Sequence, residues 1–110
     1  MKYILTIAGE NISPRLDMTS EILIATARNG ELVEPPKTIL LNRPSSEDMC
    51  ELIIKEGADC LICGGIEERY YKYLNWKKTK VIESIIGTHS EALQLASKKQ
   101  LRPGTILAAR

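Results

Sequence analysis

Two cysteines three residues apart, Cys60 and Cys63, lie in a short apolar run that ends in two glycines. Thiolates bind iron, so the pair is a candidate site for a metal ion or an iron–sulfur cluster. Residues three apart on a straight strand point to opposite faces, however, and the two sulfurs converge only where the strand breaks before Cys63. We therefore expect Cys60 to pack as a small buried hydrophobe and Cys63 to be the better candidate ligand. The third cysteine, Cys50, shares an apolar helical face with Ile53 and Ile54 and is expected in the core.

Two predicted helix starts offer backbone N–H groups to a ligand. One follows Gly64-Gly65, and the other follows Gly87 and Thr88, directly before the sole histidine, His89. N–H groups at helix starts suit an anion, whether phosphate, carboxylate or a negatively charged cluster. Glycines also serve turn geometry alone, and the two interpretations are compatible. His89 is a candidate nitrogen ligand for a metal at this site, or else an exposed residue of the first helical turn.

Cationic side chains occur in two settings. Arg15 and Arg43 lie in predicted loops, where they either supply positive charge to a bound anion or remain solvated. A second group mixes aromatic and basic residues, which would stack bases and hold phosphates, or would pack tyrosines in the core beneath lysines that shield a sheet edge. Its members are Tyr70, Tyr71, Tyr73 and Trp76 with Lys72, Lys77, Lys78 and Lys80.

Composition excludes several classes of protein. The 110 residues are 44% hydrophobic and 26% charged, which is typical of one soluble globular domain. A formal net charge of +1 argues against a nucleic-acid partner. With no apolar run near the ~18 residues of a membrane span and no signal peptide, we expect no membrane association, a cytoplasmic location and reduced thiols. One histidine with no evident acid–base partner predicts a protein that is not an enzyme, and free strand edges permit a monomer or a weak dimer.

The elements that position these residues follow from local patterns. Strands are predicted over residues 3–8, 21–28, 31–42, 59–63 and 80–82, with a hairpin turn at Asn29-Gly30 and a bend at Pro35-Pro36. Capping boxes place helix starts after Ser45 and Thr88. A further helix is predicted to open at Gly65, with an inward face made of Ile66, Tyr70, Tyr73 and Leu74.

The order βββαβαβα predicts a single α/β domain over residues 1–107, followed by a tail over 108–110. Right-handed crossovers make the first, third, fourth and fifth strands parallel, and the hairpins make the second strand antiparallel to them. The result is a mixed five-stranded sheet flanked by helices. The loops after the parallel strands then meet at one edge, which is the expected ligand site.

The motifs in this order resemble the dinitrogenase iron–molybdenum cofactor-binding family. The resemblance rests on a loop with Ser13-Pro14, on Gly64-Gly65-Ile66 after a strand, and on the late segment Gly87-Thr88-His89-Ser90-Glu91-Ala92-Leu93. It covers residues 2–107 and implies a ribonuclease-H-like domain. The family commonly has an aromatic–glycine pair where this chain has Leu16-Asp17, and a glycine-rich loop where it has residues 42–46.

The resemblance implies a small carrier of an iron–sulfur or iron–molybdenum cluster, whose partners donate or accept that cluster. Its cofactor contacts would be Cys63, Gly64, Gly65, Arg15, Arg43 and Thr88, and its metal ligands Cys63, Cys60 and His89. The alternative is an interaction or regulatory domain that keeps the fold without the ligand. A third hypothesis is nucleotide or nucleic-acid binding through the tyrosine–lysine segment.

Overall fold

The computed structural model describes residues 1–107, in which seven strands form one sheet and three α-helices pack against it. The predicted tail, 108–110, lies outside the described residues. The strands are β1 (Lys2–Ala8), β2 (Asn11–Ile12), β3 (Glu21–Arg28), β4 (Glu31–Leu32), β5 (Lys37–Leu40), β6 (Cys60–Ile62) and β7 (Lys80–Ile82). The helices are α1 (Ser46–Lys55), α2 (Glu68–Trp76) and α3 (His89–Ser97), with a short 3-10 turn at Leu16–Met18.

The predicted arrangement of the five main strands is confirmed. β1, β6 and β7 are parallel, β3 is antiparallel to β1, and β5 is antiparallel to β3 and so runs with β1. The sheet order is β4-β3-β1-β6-β7, with β5 on the same side of β3 as β4. Two further strands have only two residues each. β2 pairs with the end of β1 and was not predicted, and β4 pairs with the end of β3 across the Asn29-Gly30 turn.

The hairpin at Asn29-Gly30 is confirmed, with both residues at the positive φ that this turn requires (54° and 81°). The extended segment predicted over residues 31–42 is interrupted at its predicted bend and divides into β4 and β5, both antiparallel to β3. Residues 33–36 separate the two strands and contain Pro35-Pro36, whose nitrogens have no hydrogen to donate to a ladder.

Strand alternation divides the core into two layers. Side chains such as Leu5 and Ile62 pack under α3, whereas Ile4 and Leu61 pack under α1 and α2, and all four are fully buried. α3 contributes Ala92, Leu93 and Ala96 to the first layer, while α1 and α2 contribute Met49, Cys50, Ile53 and Leu74 to the second. None of the helices described within residues 1–107 has the length and apolarity needed to span a bilayer.

The prediction for the second helix needs correction. α2 begins at Glu68 rather than Gly65. Gly64 and Gly65 are instead held against the backbone of the segment around Pro14. Leu74 is buried as predicted, but Tyr73 is 39% exposed and lies on the outer part of the helix. The helix starts at Ser45 and Thr88 are confirmed, since each side chain accepts a hydrogen bond from the N–H three residues later.

Candidate functional site

The carboxyl ends of the parallel strands meet at one edge of the sheet, which we call the rim. It comprises the loops that follow β1, β5, β6 and β7, namely residues 9–20, 41–45, 63–67 and 83–88. Crevices of this kind are where open α/β sheets bind their ligands. Most of the candidate residues predicted from the sequence are in or next to these loops.

The structure does not bring the two thiols of the Cys-x-x-Cys together. Cys60 packs in the layer under α3 and Cys63 in the layer under α1 and α2, so the sulfurs lie on opposite faces of the sheet. Both residues are buried, and Cys63 has no exposed surface at all. Burial raises the pKa of Cys60 to about 11 and that of Cys63 to about 12, so both thiols are protonated near neutral pH. Cys50, on the inner face of α1, is likewise buried, and its burial raises the pKa of the thiol to about 11.

The glycine pair holds a neighbouring loop against the end of β6. A Cβ on Gly64 would lie 2.5 Å from the Pro14 carbonyl oxygen and would also overlap the Ser13 carbonyl. The Gly65 N–H donates to the Pro14 carbonyl (2.7 Å), and the Gly65 carbonyl accepts from the Leu16 N–H (2.9 Å). Gly64 is therefore required for close backbone approach, and the Gly65 N–H is already bonded within the protein.

The start of α3 is similarly tied to the β1–β2 hairpin. Thr88 Oγ1 accepts from the Glu91 N–H (3.3 Å) and caps the helix. The His89 N–H donates to the Glu10 carbonyl (3.0 Å), and the Gly87 carbonyl accepts from the Ile12 N–H (2.8 Å). The His89 side chain lines a groove of about 480 Å³ beside α3, whereas Cys63 packs under the other two helices. The structure does not unite His89 and Cys63 in one ligand set.

The two candidate arginines differ in their partners. Arg15 makes a bidentate ion pair with Asp17, at 3.0 Å from Nε and 2.6 Å from Nη2, and this hydrogen bonding raises the pKa of the guanidinium further. Asp17 thereby neutralises the charge of Arg15 on the rim. Arg43 is exposed in the loop before α1, and within residues 1–107 it forms no ion pair.

A small pocket of about 180 Å³ opens on the rim between the 3-10 turn, the start of α1 and the loop after β6. Its lining is Arg15, Asp17, Ser46, Gly65, Ile66 and Glu67. Ser46 Oγ is buried with no hydrogen-bond partner among the described residues, which makes it the polar atom of this pocket with capacity for a ligand. Ser46 and Glu67 were not among the candidates predicted from the sequence. The Ser45-Ser46 pair at the start of α1 was the one pattern that could have indicated Ser46.

Residues of metal-ligating type do not gather within the described chain. Over residues 1–107, no three or more His, Cys, Asp or Glu side chains are close enough to hold one metal ion. The rim as folded therefore offers a small pocket that includes the unpartnered Ser46 hydroxyl, rather than a set of converging thiolates.

Comparison with known proteins yields similarity of fold alone. No protein-family model matches the chain, and no curated protein matches it. Among solved structures, PH0822 superposes with a TM-score of 0.84 at 15% identity over 94% of each chain. A putative dinitrogenase from Methanocaldococcus jannaschii (MJ0327) superposes at 0.74 with 24% identity, over 92% of this chain and 91% of its own. A putative NifB protein from Thermotoga (TM1290) gives 0.70 at 15% identity, over 99% of this chain and 98% of its own. The chain thus has the fold of small dinitrogenase-related proteins along nearly its whole length.

Proposed function

We propose that this chain is a non-enzymatic, cytoplasmic member of the dinitrogenase iron–molybdenum cofactor-binding family that acts through protein contacts, as an interaction or regulatory domain. Membership is supported by the joint order of the Ser-Pro loop, the glycine pair and the late capping box, together with the shared fold. Three free cysteines fit a reducing compartment.

The observation that carries this proposal is the burial of both thiols of the Cys-x-x-Cys on opposite faces of the sheet. A thiolate-bound cluster needs deprotonated sulfurs that face one another and are reachable from solvent. Cys60 and Cys63 lie on opposite faces of the sheet and are buried, so their sulfurs neither face one another nor are reachable from solvent. The residues present do not fit a cluster held by these cysteines.

The bonding of the rim supports the same conclusion. Two donors that the resemblance would assign to a cofactor are bonded within the protein: the Gly65 N–H to Pro14 and the Arg15 guanidinium to Asp17. The backbone N–H of His89, at the start of α3, is likewise bonded to Glu10. A ligand that used them would have to replace these bonds, at about 1 kcal/mol for each neutral one.

A second candidate function is carriage of an iron–sulfur or iron–molybdenum cluster at the rim, passed between donor and acceptor proteins. It is favoured by the rim pocket and by the unpartnered, buried Ser46 Oγ inside it, since a buried hydroxyl without a partner calls for an explanation. Arg43, at the loop before α1, would add positive charge. Such a ligand would be held by polar groups and not by Cys63.

Anaerobic reconstitution with iron and sulfide separates the two. We expect no stoichiometric cluster, measured by iron and sulfide content and by visible absorption. Cys63→Ala tests thiolate ligation, and Cys50→Ala, which alters the buried thiol of α1 in the same core layer, is the matched control. A stoichiometric cluster that is lost in Cys63→Ala and retained in Cys50→Ala would overturn the proposal. A cluster retained in both variants and lost in Ser46→Ala would establish the second candidate instead.

A further inference from the structure

The carboxyl end of α2 carries an exposed aromatic pair. Trp76, the only tryptophan, is 71% exposed, and its ring centroid lies 6.2 Å from that of Tyr73 at an interplanar angle of 49°. The Lys77 ammonium lies 4.8 Å from the Trp76 ring centroid and 5.9 Å from that of Tyr73. We call Tyr73, Trp76, Lys77 and Lys78 the α2 platform.

The platform carries positive charge that no carboxylate neutralises. Within residues 1–107, Lys77 and Lys78 form no ion pair, and both are exposed. Lys72, one turn earlier on the same helix, is by contrast paired with Glu68 at 3.0 Å. The surface around Trp76 therefore complements an acidic partner.

Protection of a sheet edge does not account for this surface. Lys80, on the edge strand β7, discourages pairing with another chain, but its register with Cys60 puts it on the α3 face and outside the platform. Edge protection also does not explain the exposure of Trp76, because a tryptophan is on average a highly buried residue. Exposed tryptophan, tyrosine and arginine are the side chains that most often dominate binding energy at protein interfaces.

The backbone after α2 gives the platform a fixed shape. Lys78 has a φ of 70°, the left-handed conformation that usually falls to glycine at a helix end. Its N–H donates to the Asn75 carbonyl (3.0 Å), and the Thr79 N–H donates to the Leu74 carbonyl (2.9 Å). These bonds hold Lys78 directly after the helix, next to Lys77.

The platform is also well separated from the rim. α2 follows the rim loop after β6 and leads into the beginning of β7, so its carboxyl end lies at the opposite edge of the sheet. A partner seated on Trp76 leaves the rim pocket open.

We propose that the α2 platform docks an acidic segment of a partner protein, with an apolar side chain seated on Trp76 and Tyr73 and carboxylates at Lys77 and Lys78. This deepens the interaction role proposed above and rests on it. A single-stranded nucleic acid fits less well, because it requires a basic track with successive stacking rings and the chain has a net charge of +1.

The test is a selection of random short peptides displayed on phage against the full-length chain. Peptides enriched on the wild type are synthesised, and their affinities are measured by quenching of Trp76 fluorescence and by anisotropy of a label on the peptide. We expect an enriched set that is acidic and carries an apolar residue. Trp76→Ala should weaken binding at least about 30-fold by anisotropy, as for an interface hot spot. Joint replacement of Lys77 and Lys78 by glutamine should weaken it about tenfold and flatten its dependence on salt.

Lys72→Gln is the matched control, since it removes a lysine of the same helix that is already paired, and it should leave the affinity unchanged. Far-UV circular dichroism checks that each variant is folded. No enrichment, an enriched set without acidic residues, or an affinity that survives Trp76→Ala overturns the proposal. So does a short single-stranded oligonucleotide that binds more tightly than the best peptide. Cluster reconstitution fails or succeeds independently of this selection, so the two proposals can be told apart.

Discussion

Replacing Gly64 with alanine is expected to destabilise the protein strongly, although the residue lies in a loop. The added Cβ would be 2.5 Å from the Pro14 carbonyl oxygen and 2.7 Å from its carbonyl carbon. Both atoms belong to the backbone, so they cannot rotate away as a side chain would. The Ser13-Pro14 segment must move, and its movement breaks the Gly65–Pro14 hydrogen bond and weakens the Gly65–Leu16 bond.

The magnitude follows from these two effects. Forcing an extra carbon into a packed region costs about 1–3 kcal/mol, and each lost backbone hydrogen bond costs about 1 kcal/mol. Together they predict a fall of about 2–4 kcal/mol in the free energy of unfolding of the Gly64→Ala variant. For a domain of this size, that corresponds to a fall in Tm of about 10–25 °C.

Gly65→Ala is the control, because its Cβ would lie 3.4 Å from the same oxygen and needs only a small adjustment. Neither glycine has a positive φ, so the pair differs in space and not in backbone strain. We expect Gly65→Ala to cost less than about 1 kcal/mol. Urea unfolding followed by far-UV circular dichroism measures both. Equal stability of the two variants would refute the assignment of Gly64 to close backbone approach.

Three further predictions concern helix ends and buried thiols. Lys78→Gly and Lys99→Gly should each raise the free energy of unfolding by about 1 kcal/mol in urea titrations, because both lysines have a left-handed φ (70° and 59°) at the end of a helix. Ser45→Ala and Thr88→Ala should each lower it by about 1 kcal/mol, since each removes a helix cap, and an unchanged urea midpoint would contradict this. Burial raises the pKa of Cys63 to about 12, so its stabilising contribution is complete below roughly pH 8.5 and is lost as pH rises towards 12. Unfolding at successive pH values should therefore show a smaller loss above pH 8.5 in Cys63→Ala than in the wild type.

Features with a local physical cause could be predicted from the sequence. The Asn29-Gly30 turn needs only two residues that tolerate positive φ, and the caps at Ser45 and Thr88 need only a side-chain oxygen beside a free N–H. Strand directions followed from the lengths of the connections, because a crossover through a helix returns the chain parallel. The fold was therefore accessible without any tertiary contact.

Features set by contacts between distant segments could not be predicted. The start of α2 is delayed to Glu68 because Gly65 is bonded to Pro14, which lies on another loop. The start of α3 is likewise fixed by a distant segment, since the His89 N–H is bonded to the Glu10 carbonyl. Whether a loop residue can bind a ligand depends on whether another segment already bonds to it, and the sequence does not show which segments are in contact.

The Cys-x-x-Cys shows why spacing alone is a weak guide to a metal site. The same three-residue separation brings two side chains together at a helix start and sends them apart across a strand. Here the chain keeps its alternation one residue beyond β6, where the Cys63 N–H still bonds to the Ile82 carbonyl of β7. Cys60 therefore faces α3, and Cys63 faces α1 and α2. The Gly64 that follows does not bend the chain back to reunite them, because it is pressed against the Ser13-Pro14 segment. Any ligand of this rim must therefore be recognised by polar groups such as Ser46 Oγ, and cysteine chemistry would require the sheet edge itself to open.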